Sequence, residues 1–487
     1  MKIITYLLAV LAVSFPGTVI SSTWKEYLGS QDDDVAWADT VRGVTRGQTG
    51  LAVMQASHGE TYDFQPLLQS LATVTATKDI IVSVGGMGSG RRADVVDNYM
   101  RMIRYDKGER WRQLIFEQTS AVAEGSPQRS VYWQVGNEIN SWHYLDTLSS
   151  WEDSDEVVVR DPMEDIRLMS RGDSQAKAQR KEERKQTRNQ LKKLKRNGSD
   201  IVPLYVEYFL APTAQAIIDA RKHQSGDENR VKIVLGTLAN SHSEHARSWL
   251  DGLLNYRIRG DYAPQLAGRN VSEVVDIVAL HYMTSSPGPG WRDALRDLYR
   301  DWLGKGSIRG IWSTEEIGRK RGLANLGGAT AISVLARYMD LWHELGIDPS
   351  QGRANFWGWS LGDDGTRAED AMQTLMKLIG DTPLIPVDEG EVSLQSSGDH
   401  ESHAFSTAKG QLVLVQFAAD KSSRFSFEGF QAKWDCGSEP SVRAIAFGKL
   451  GQVPLEHEVS LNDGLLTVST GKTRSNRDVV MVIVDRD

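Results

Sequence analysis

The chain has 487 residues, of which 40% are apolar and 25% are charged, and its formal net charge is −8. These values exclude a disordered chain, a collagen-like fibre and a bundle of membrane helices, and they give no global signal for a nucleic-acid partner. The single cysteine excludes an intramolecular disulfide, so the fold must depend on its hydrophobic core.

The first 22 residues are typical of an export signal. Lys2 gives a positive start, residues 3–13 are mostly apolar, and residues 19–21 fit the small-residue rule for cleavage. An uncleaved membrane anchor is the alternative interpretation. The apolar stretch is shorter than the ~20 residues of a spanning helix, which favours the export signal. We therefore expect a secreted protein, extracellular or periplasmic, with no membrane contact once residues 1–22 are removed.

Short apolar runs alternate with amphipathic ones from residue 51 to residue 379, which indicates repeated strand-then-helix units. Strands are predicted at Leu51–Ala56, Ile80–Val84, Val131–Val135, Val231–Leu235, Asp276–Leu280, Arg309–Ser313 and Ala354–Trp359. Helices are predicted at about 94–123, 205–222, 244–254, 291–302, 329–345 and 369–379. This repetition predicts an α/β fold with a parallel sheet, and the number of units favours a (β/α)8 TIM barrel over residues 23–384.

Counting strands backward fixes the expected positions in this barrel. If Ala354–Trp359 is strand 8, then Arg309–Ser313 is strand 7 and Val131–Val135 is strand 4. Strand 1 must then precede Leu51–Ala56, and the best candidate lies near Val41–Val44.

A different pattern begins near Pro386, where short strands follow one another without helices. They are predicted at Gln411–Phe417, Arg424–Phe427, Ser441–Ala446, Leu465–Ser469 and Val479–Val484. Gly, Asn and Asp separate them, as is typical of antiparallel strands. Residues 385–487 are therefore predicted to form an antiparallel β-sandwich.

A basic, polar insertion occupies about residues 160–200. Its segment Arg171–Arg196 holds eleven Lys or Arg against three acids, a net charge of +8. A solvated helix or loop is one interpretation, and a patch for an anionic polysaccharide is the other.

Two of the predicted strands lead directly into carboxylates. The fourth continues into Asn137-Glu138, and the seventh into Glu315-Glu316. The carboxyl ends of barrel strands face the active site, so these side chains should meet at one mouth. Two carboxylates from different strands are what glycoside hydrolysis requires.

These stretches resemble clan A of the glycoside hydrolases, retaining enzymes with catalytic glutamates on strands 4 and 7. The landmarks are Asn137-Glu138, Thr314-Glu315-Glu316-Ile317-Gly318, Leu280-His281-Tyr282 and Phe356-Trp357-Gly358-Trp359. In general form they resemble family 39 and family 51 members, which implies xylosides, arabinosides or galactans. The chain departs from the clan at Ile139, where many members have Pro, and His281 and Tyr282 are adjacent where many members separate them by one residue.

The resemblance implies residue roles in a double-displacement reaction with retention. Glu138 would be the acid/base and Glu315 the nucleophile, with Glu316 as second choice. The expected substrate-binding residues are Asn137, His281, Tyr282, Trp359, Trp357 and Trp142. A carbohydrate is the expected partner, and no cofactor and no metal are expected.

Strand alternation limits which neighbours can reach the site. Adjacent residues of a strand point to opposite faces. Only one of Glu315 and Glu316 should therefore face the mouth, and His281 and Tyr282 should not both reach it.

Two other function classes remain open. A non-catalytic glycan-binding protein on a barrel scaffold could use the basic insertion for docking. A metal-dependent hydrolase could use His242 and His245, and His400 with His403 form a similar pair, but no third ligand is visible in the sequence and all four are expected on the surface. The exact glycan and the oligomeric state are not readable from the sequence.

Overall fold

The structure is a computed structural model. It describes residues 22–30, 43–46, 79–84, 107–140, 201–223, 230–238, 244–281, 283–284, 290–316, 326–356, 358–359, 362–387, 392–419, 425–433, 440–471 and 478–485. Outside these residues lie the export signal, the basic insertion, the strand predicted at Leu51–Ala56, and Trp142, Tyr282 and Trp357. No helix within the described ranges is long and apolar enough to cross a membrane.

A curled parallel sheet forms the first part of the fold. Its strands are β1 (Leu28–Ser30), β2 (Gly43–Arg46), β3 (Asp79–Val84), β4 (Ser130–Val135), β5 (Val231–Leu235), β6 (Ile277–His281), β7 (Gly310–Glu316) and β8 (Gly352–Phe356). Each strand pairs in parallel with the next, and β8 pairs with β1, so the hydrogen-bonded order returns to its starting strand. The strand positions predicted for Glu138 and Glu315, fourth and seventh, agree with this order.

The first two strands differ from the expectation. The sequence placed strand 1 near Val41–Val44, but Gly43–Arg46 is the second strand of the sheet, and the first is Leu28–Ser30. Three residues with one large apolar side chain show no alternation, so β1 leaves no periodic signal in the sequence.

Helices follow the strands from β3 onward. They are α1 (Glu109–Gly125), α2 (Ile201–Tyr205), α3 (Ala211–His223), α4 (Glu244–Leu254), α5 (Trp291–Trp302), α6 (Gly327–Leu345) and α7 (Ala368–Ile379), with a π-helical turn at Val206–Leu210 and 3-10 turns at Trp24–Tyr27, Pro264–Leu266 and Val271–Glu273. The amphipathic period that predicted α5 is visible as its buried face, Leu295, Leu298, Tyr299 and Trp302. Helix α6 ends as expected at Gly346, whose positive φ of 65° suits a glycine.

Alternation along the parallel strands separates two buried layers. Residues such as Val131, Trp133 and Val135 pack in the main cluster with the helices. Residues at the alternate positions of the strands point to the other face and form a smaller cluster inside the curled sheet. This cluster contains Ile81, Val234, Ile277, Ala279 and Trp312. Inner-face side chains at the carboxyl ends of the strands therefore face the mouth of the curled sheet.

Antiparallel sheets form the C-terminal part. The strands are β9 (Leu384–Pro386), β10 (Val392–Gly398), β11 (His400–Thr407), β12 (Leu412–Ala418), β13 (Phe425–Lys433), β14 (Ser441–Gly448), β15 (Gly451–Pro454), β16 (His457–Asn462), β17 (Leu465–Thr470) and β18 (Val479–Asp485). One sheet has the order β15-β14-β18-β12-β11-β9 and the other β10-β13-β17-β16. All five strands predicted in this region are present.

The six-stranded sheet is covered on both faces. Leu412 and Leu414 of β12 share a buried cluster with Phe427 and Phe430 of the four-stranded sheet. On the opposite face, Val413, Val415 and Met481 contact α6 and α7, through residues that include Ile332, Leu335 and Leu375. Burial on both faces explains why β12 and β18 are almost continuously apolar.

Candidate active site

The first carboxylate lies just beyond the end of β4, on an unusual backbone. Gly136 has φ of 97° and Glu138 has φ of 49°. A positive φ is uncommon for a residue with a side chain, and such conformations concentrate at functional sites. The end of β4 is thus built to present Glu138 in one conformation.

Thr237, which follows β5, holds this conformation. Its hydroxyl accepts a hydrogen bond from the Glu138 backbone N–H at 2.6 Å and donates to Asn137 Oδ1 at 3.1 Å. Its carbonyl accepts from the N–H of Ile139, which is buried. Gln134 Nε2 also donates to Asn137 Oδ1, at 3.4 Å. With its oxygen turned toward these donors, the Asn137 amide nitrogen is the end directed away from them.

The second carboxylate depends on an irregularity in β7. Leu280 pairs with Ser313, but the next residue, His281, pairs with Glu315. Thr314 is therefore an extra residue in β7, and the pairing with β8 shifts at the same place. Regular alternation from Trp312 on the inner face would turn Glu315 toward the helices. The extra residue reverses this and turns Glu315 inward beside His281.

Glu316 is turned to the other face. It shares the register of Phe356, which packs in the cluster between the sheet and the helices. Its carboxylate is fully buried and accepts hydrogen bonds from the Tyr338 hydroxyl of α6, at 2.6 Å, and from the Thr284 N–H, at 3.2 Å. Only Glu315 of the two neighbours therefore faces the inner side of the sheet.

His281 joins the two strand ends. Its Nδ1 lies 3.3 Å from a Glu138 oxygen and 3.6 Å from a Glu315 oxygen, and its ring is fully buried. Burial favours the neutral ring, but the negative charge of Glu315 and the hydrogen bond to Glu138 outweigh it, so the pKa of His281 is raised.

These three side chains form one compact cluster. Each of Glu138, His281 and Glu315 offers one potential metal-ligating atom, and these three atoms lie within 4.8 Å of one another. A site of this composition could hold a divalent cation, and it could equally carry out proton transfer and nucleophilic attack. The exposures differ, since the side chain of Glu138 is 30% exposed and that of Glu315 14%.

The remaining predicted residues have different outcomes. The ring of Trp359 is fully buried against Phe356, with ring centroids 5.2 Å apart. Trp359 therefore packs into the core after β8, and its role in substrate binding stays a prediction. Tyr282, Trp357 and Trp142 lie outside the described residues, so their roles stay predictions.

Among the histidines that the structure describes, His403 differs from the expectation of a surface residue, whereas His400 is partly exposed. His403 is buried, and its two ring nitrogens lie 3.0 Å from carboxylate oxygens of Asp340 and Glu401. It belongs to an ionic cluster between α6 and β11. His242 lies outside the described residues, as does the side chain of His245 in α4.

Sequence reasoning missed the residues that support the carboxylates. Thr237, Thr284 and Tyr338 each bond to one of the two strand ends, but none stands next to a carboxylate in the sequence. Thr237 had one available signal, because it lies two residues after a buried strand, as Asn137 does. Tyr338 had none, because it lies in the middle of a helix.

No family model and no curated protein sequence matches the chain. Among solved structures, the chain is similar to N2152 from Neocallimastix frontalis, with 12% identity, a TM-score of 0.47, and coverage of 96% of this chain and 97% of that one. It is also similar to the GH51 arabinofuranosidase from Xanthomonas axonopodis pv. citri, with 10% identity, a TM-score of 0.41, and coverage of 93% and 90%. A third is AbfB, a family 51 alpha-L-arabinofuranosidase from Bifidobacterium longum, with 10% identity, a TM-score of 0.43, and coverage of 96% and 97%. Identities and scores are low, so the function must be argued from the geometry of the site.

Proposed function

We propose that the chain is a secreted retaining glycoside hydrolase of clan A, with a (β/α)8 barrel over residues 23–384 and a β-sandwich over residues 385–487. The observation that carries the proposal is the convergence of Glu138 and Glu315 from two strand ends, with oxygens within 4.8 Å of each other. Oxygens this close favour a nucleophile and an acid/base, whose carboxyl groups lie ~5–5.5 Å apart in retaining enzymes and ~6.5–9.5 Å apart in inverting ones.

Glu315 is the nucleophile of the proposed reaction. Its carboxylate attacks the anomeric carbon, the bond from that carbon to the leaving oxygen breaks, and a covalent glycosyl-enzyme forms. Glu316 is unsuited to this task, since its carboxylate is buried on the helix side of β7 and bonded to Tyr338. The bulge at Thr314 thus favours Glu315 over its neighbour as the nucleophile.

Glu138 is the acid/base. In its protonated form it donates a proton to the leaving oxygen, and as a carboxylate it later takes a proton from the water that releases the sugar. Its greater exposure fits a group that must meet both the leaving group and water. Asn137, with its amide nitrogen directed away from Thr237 and Gln134, would donate a hydrogen bond to the sugar hydroxyl next to the reacting carbon.

His281 links the two carboxylates. Its Nδ1 can donate to one of them at a time, so it can hold Glu315 in place while Glu138 is protonated and can bond to Glu138 once that group has lost its proton. Tyr282 would supply a further contact to Glu315 or the substrate, and Trp142 and Trp357 would line the cleft. The substrate is a xyloside, arabinoside or galactan, or an anionic polysaccharide bound by the basic insertion.

A polysaccharide panel tests the activity. We expect the purified protein to release reducing sugar from at least one member, with unchanged activity in the presence of a chelator. Binding without release would support the glycan-binding alternative, and loss of activity in chelator would indicate that the cluster of Glu138, His281 and Glu315 acts as a metal site.

Azide rescue tests the mechanism. The Glu315→Gly variant should regain turnover of an activated aryl glycoside in azide and give a glycosyl azide of inverted configuration, because azide replaces the missing nucleophile. Glu316→Gly is the matched control, and no azide adduct is expected from it. An adduct formed by Glu316→Gly alone would assign the nucleophile to Glu316.

A further inference from the structure

A buried arginine connects the six-stranded C-terminal sheet to residues near the site. Arg337 of α6 makes a two-pronged ion pair with Glu401 of β11, at distances from 2.7 to 3.1 Å. The remaining guanidinium nitrogen, Nη1, donates a hydrogen bond to the Thr284 carbonyl at 2.7 Å. Arg337 therefore joins the C-terminal sheet to the segment that follows β6.

The peptide groups of Thr284 are held from both sides. Its carbonyl accepts from Arg337, and its N–H donates to the carboxylate of Glu316, which also accepts from Tyr338. Thr284 stands three residues after His281, and Glu316 stands directly after Glu315. The contacts thus tie the end of β6 to the end of β7, where His281 and Glu315 meet.

We propose that Glu401 is a positioning residue for the reaction, acting from the C-terminal sheet through Arg337 and Thr284 on the placement of Glu315 beside His281. This inference rests on the proposed glycosidase function. The role assigned to these supporting groups acts through the placement of Glu315 and His281, so they are positioning residues.

Charge and burial make Glu401 the decisive member. Arg337 is almost completely buried, and Glu401 is the carboxylate that neutralises it. A buried cation without its partner must turn toward other acceptors or toward solvent. Arg337 would then no longer hold the Thr284 carbonyl in the same geometry. Glu401 is itself fixed by His403, so its position is set within the C-terminal sheet.

The chain offers a matched control. Asp485 of β18 accepts from Arg443 at 2.8 and 2.9 Å, and Arg443 also donates to the Leu378 carbonyl of α7 at 3.3 Å. This contact likewise joins the C-terminal sheet to a helix through an arginine. Within the described ranges, neither Asp485 nor Arg443 contacts the ends of β6 or β7.

The experiment compares the steady-state kinetics of Glu401→Gln and Asp485→Asn. Both act on the polysaccharide that the panel identifies as a substrate of the wild-type protein, at a temperature where all variants are folded. We expect Glu401→Gln to lower kcat about tenfold with KM within about twofold, because the reacting carboxylate is displaced while substrate contacts persist. Asp485→Asn should change kcat by less than about twofold. Arg337→Lys, which keeps the charge but cannot span both partners, should reproduce the loss if Glu401→Gln is unstable.

A second readout separates this inference from the function itself. In protein labelled with ¹⁵N-histidine, the His281 Nδ1 resonance at one fixed pH should move in Glu401→Gln and stay unchanged in Asp485→Asn. The expected change in the His281 resonance does not depend on glycoside cleavage. If the protein cleaves no glycoside, that result contradicts the proposed function alone. An active protein in which Glu401→Gln keeps its kcat and its His281 resonance would overturn the positioning role.

Discussion

The ends of β4 and β7 look alike in the sequence but are supported in different ways. Each is an apolar strand that runs into a glutamate, and each glutamate contacts His281. At β4 the support is local, since a positive φ at Glu138 is held by the hydroxyl and carbonyl of Thr237, just after the neighbouring strand β5. At β7 the support is layered, running from the bulge at Thr314 outward through Glu316 to α6 and β11.

This difference suggests a division of tasks. In the proposed mechanism the acid/base takes up and releases a proton, and a partly exposed loop end gives Glu138 contact with water. The proposed nucleophile must stay fixed while its bond to the sugar forms, and a small displacement is costly for such a step. The more extensive support lies behind the group with the stricter geometric requirement.

The largest expected effect comes from removing either carboxylate. Glu138→Gln and Glu315→Gln should each lower kcat by at least about 10³-fold, as general acid–base and nucleophilic groups typically contribute. Steady-state kinetics on the substrate from the panel measures the loss. Glu117→Gln, an exposed glutamate of α1, is the control and should be indistinguishable from wild type. Near-normal rates in both site variants would remove the basis for comparing the two ends as parts of one site.

The layered support at β7 is tested by Tyr338→Phe. Losing the hydroxyl that donates to the buried Glu316 carboxylate should lower kcat about tenfold, since a hydrogen bond to a charged group is worth ~1.5–3 kcal/mol. Tyr299→Phe is the matched control, because that hydroxyl lies nearby but donates to the Ile311 carbonyl. Equal losses in kcat for the two variants would contradict a specific role for the Glu316 side.

The local support at β4 is tested by Thr237→Val, which keeps the shape and removes the hydroxyl. Two hydrogen bonds to the Asn137-Glu138 turn are lost, each worth ~1 kcal/mol. Because about half of that total should act on the transition state, kcat should fall about fivefold. Thr237→Ser keeps the hydroxyl and should restore most of the rate. If Thr237→Ser were as slow as Thr237→Val, the hydroxyl would not be the supporting group.

The smallest expected effect concerns the stability of the β7 support with pH. Burial favours neutral His403, but its hydrogen bonds with Asp340 and Glu401 outweigh this and raise its pKa. Burial also opposes ionisation of the two carboxyls, but hydrogen bonds from His403, with Arg292 at Asp340 and Arg337 at Glu401, lower the pKa of each to about 2.

The signs define a window of maximal stabilisation. The His403 contribution is complete below its unfolded pKa of about 6.5 and is lost as pH rises through the folded value. The carboxyl contributions are complete above about pH 4 and are lost as pH falls toward 2. Urea unfolding should show that the wild type loses more stability than His403→Gln between pH 6 and pH 9. Parallel pH profiles for the two proteins would show that His403 carries no linked proton.

Much of the parallel sheet could be predicted because its strands are buried on both faces and read as apolar runs. Val231–Leu235 and the helix at 244–254 match the structure residue for residue. The first strand could not be predicted, because Leu28–Ser30 forms only through pairing with β2 and β8. Its existence depends on tertiary contacts that no local pattern contains.

The site shows a similar limit. Asn137, Glu138, His281 and Glu315 could be found because each follows or ends a buried strand. The orientation of Glu315 could not be derived, since strict alternation from Trp312 gives the wrong face and only the extra residue at Thr314 corrects it. His403 was expected on the surface, but it is buried between α6 and β11 through contacts between residues that lie far apart in the sequence.

The two-sided burial of the six-stranded sheet has a consequence for how this protein can be divided. Val413, Val415 and Met481 cover α6 and α7, so residues 385–487 form the outer wall of the helix layer. Expressing residues 23–384 alone would expose that apolar wall to water and favour aggregation over a minimal active enzyme. For the same reason, recombining the C-terminal part with an unrelated barrel would require a matching helix surface as well as a suitable linker.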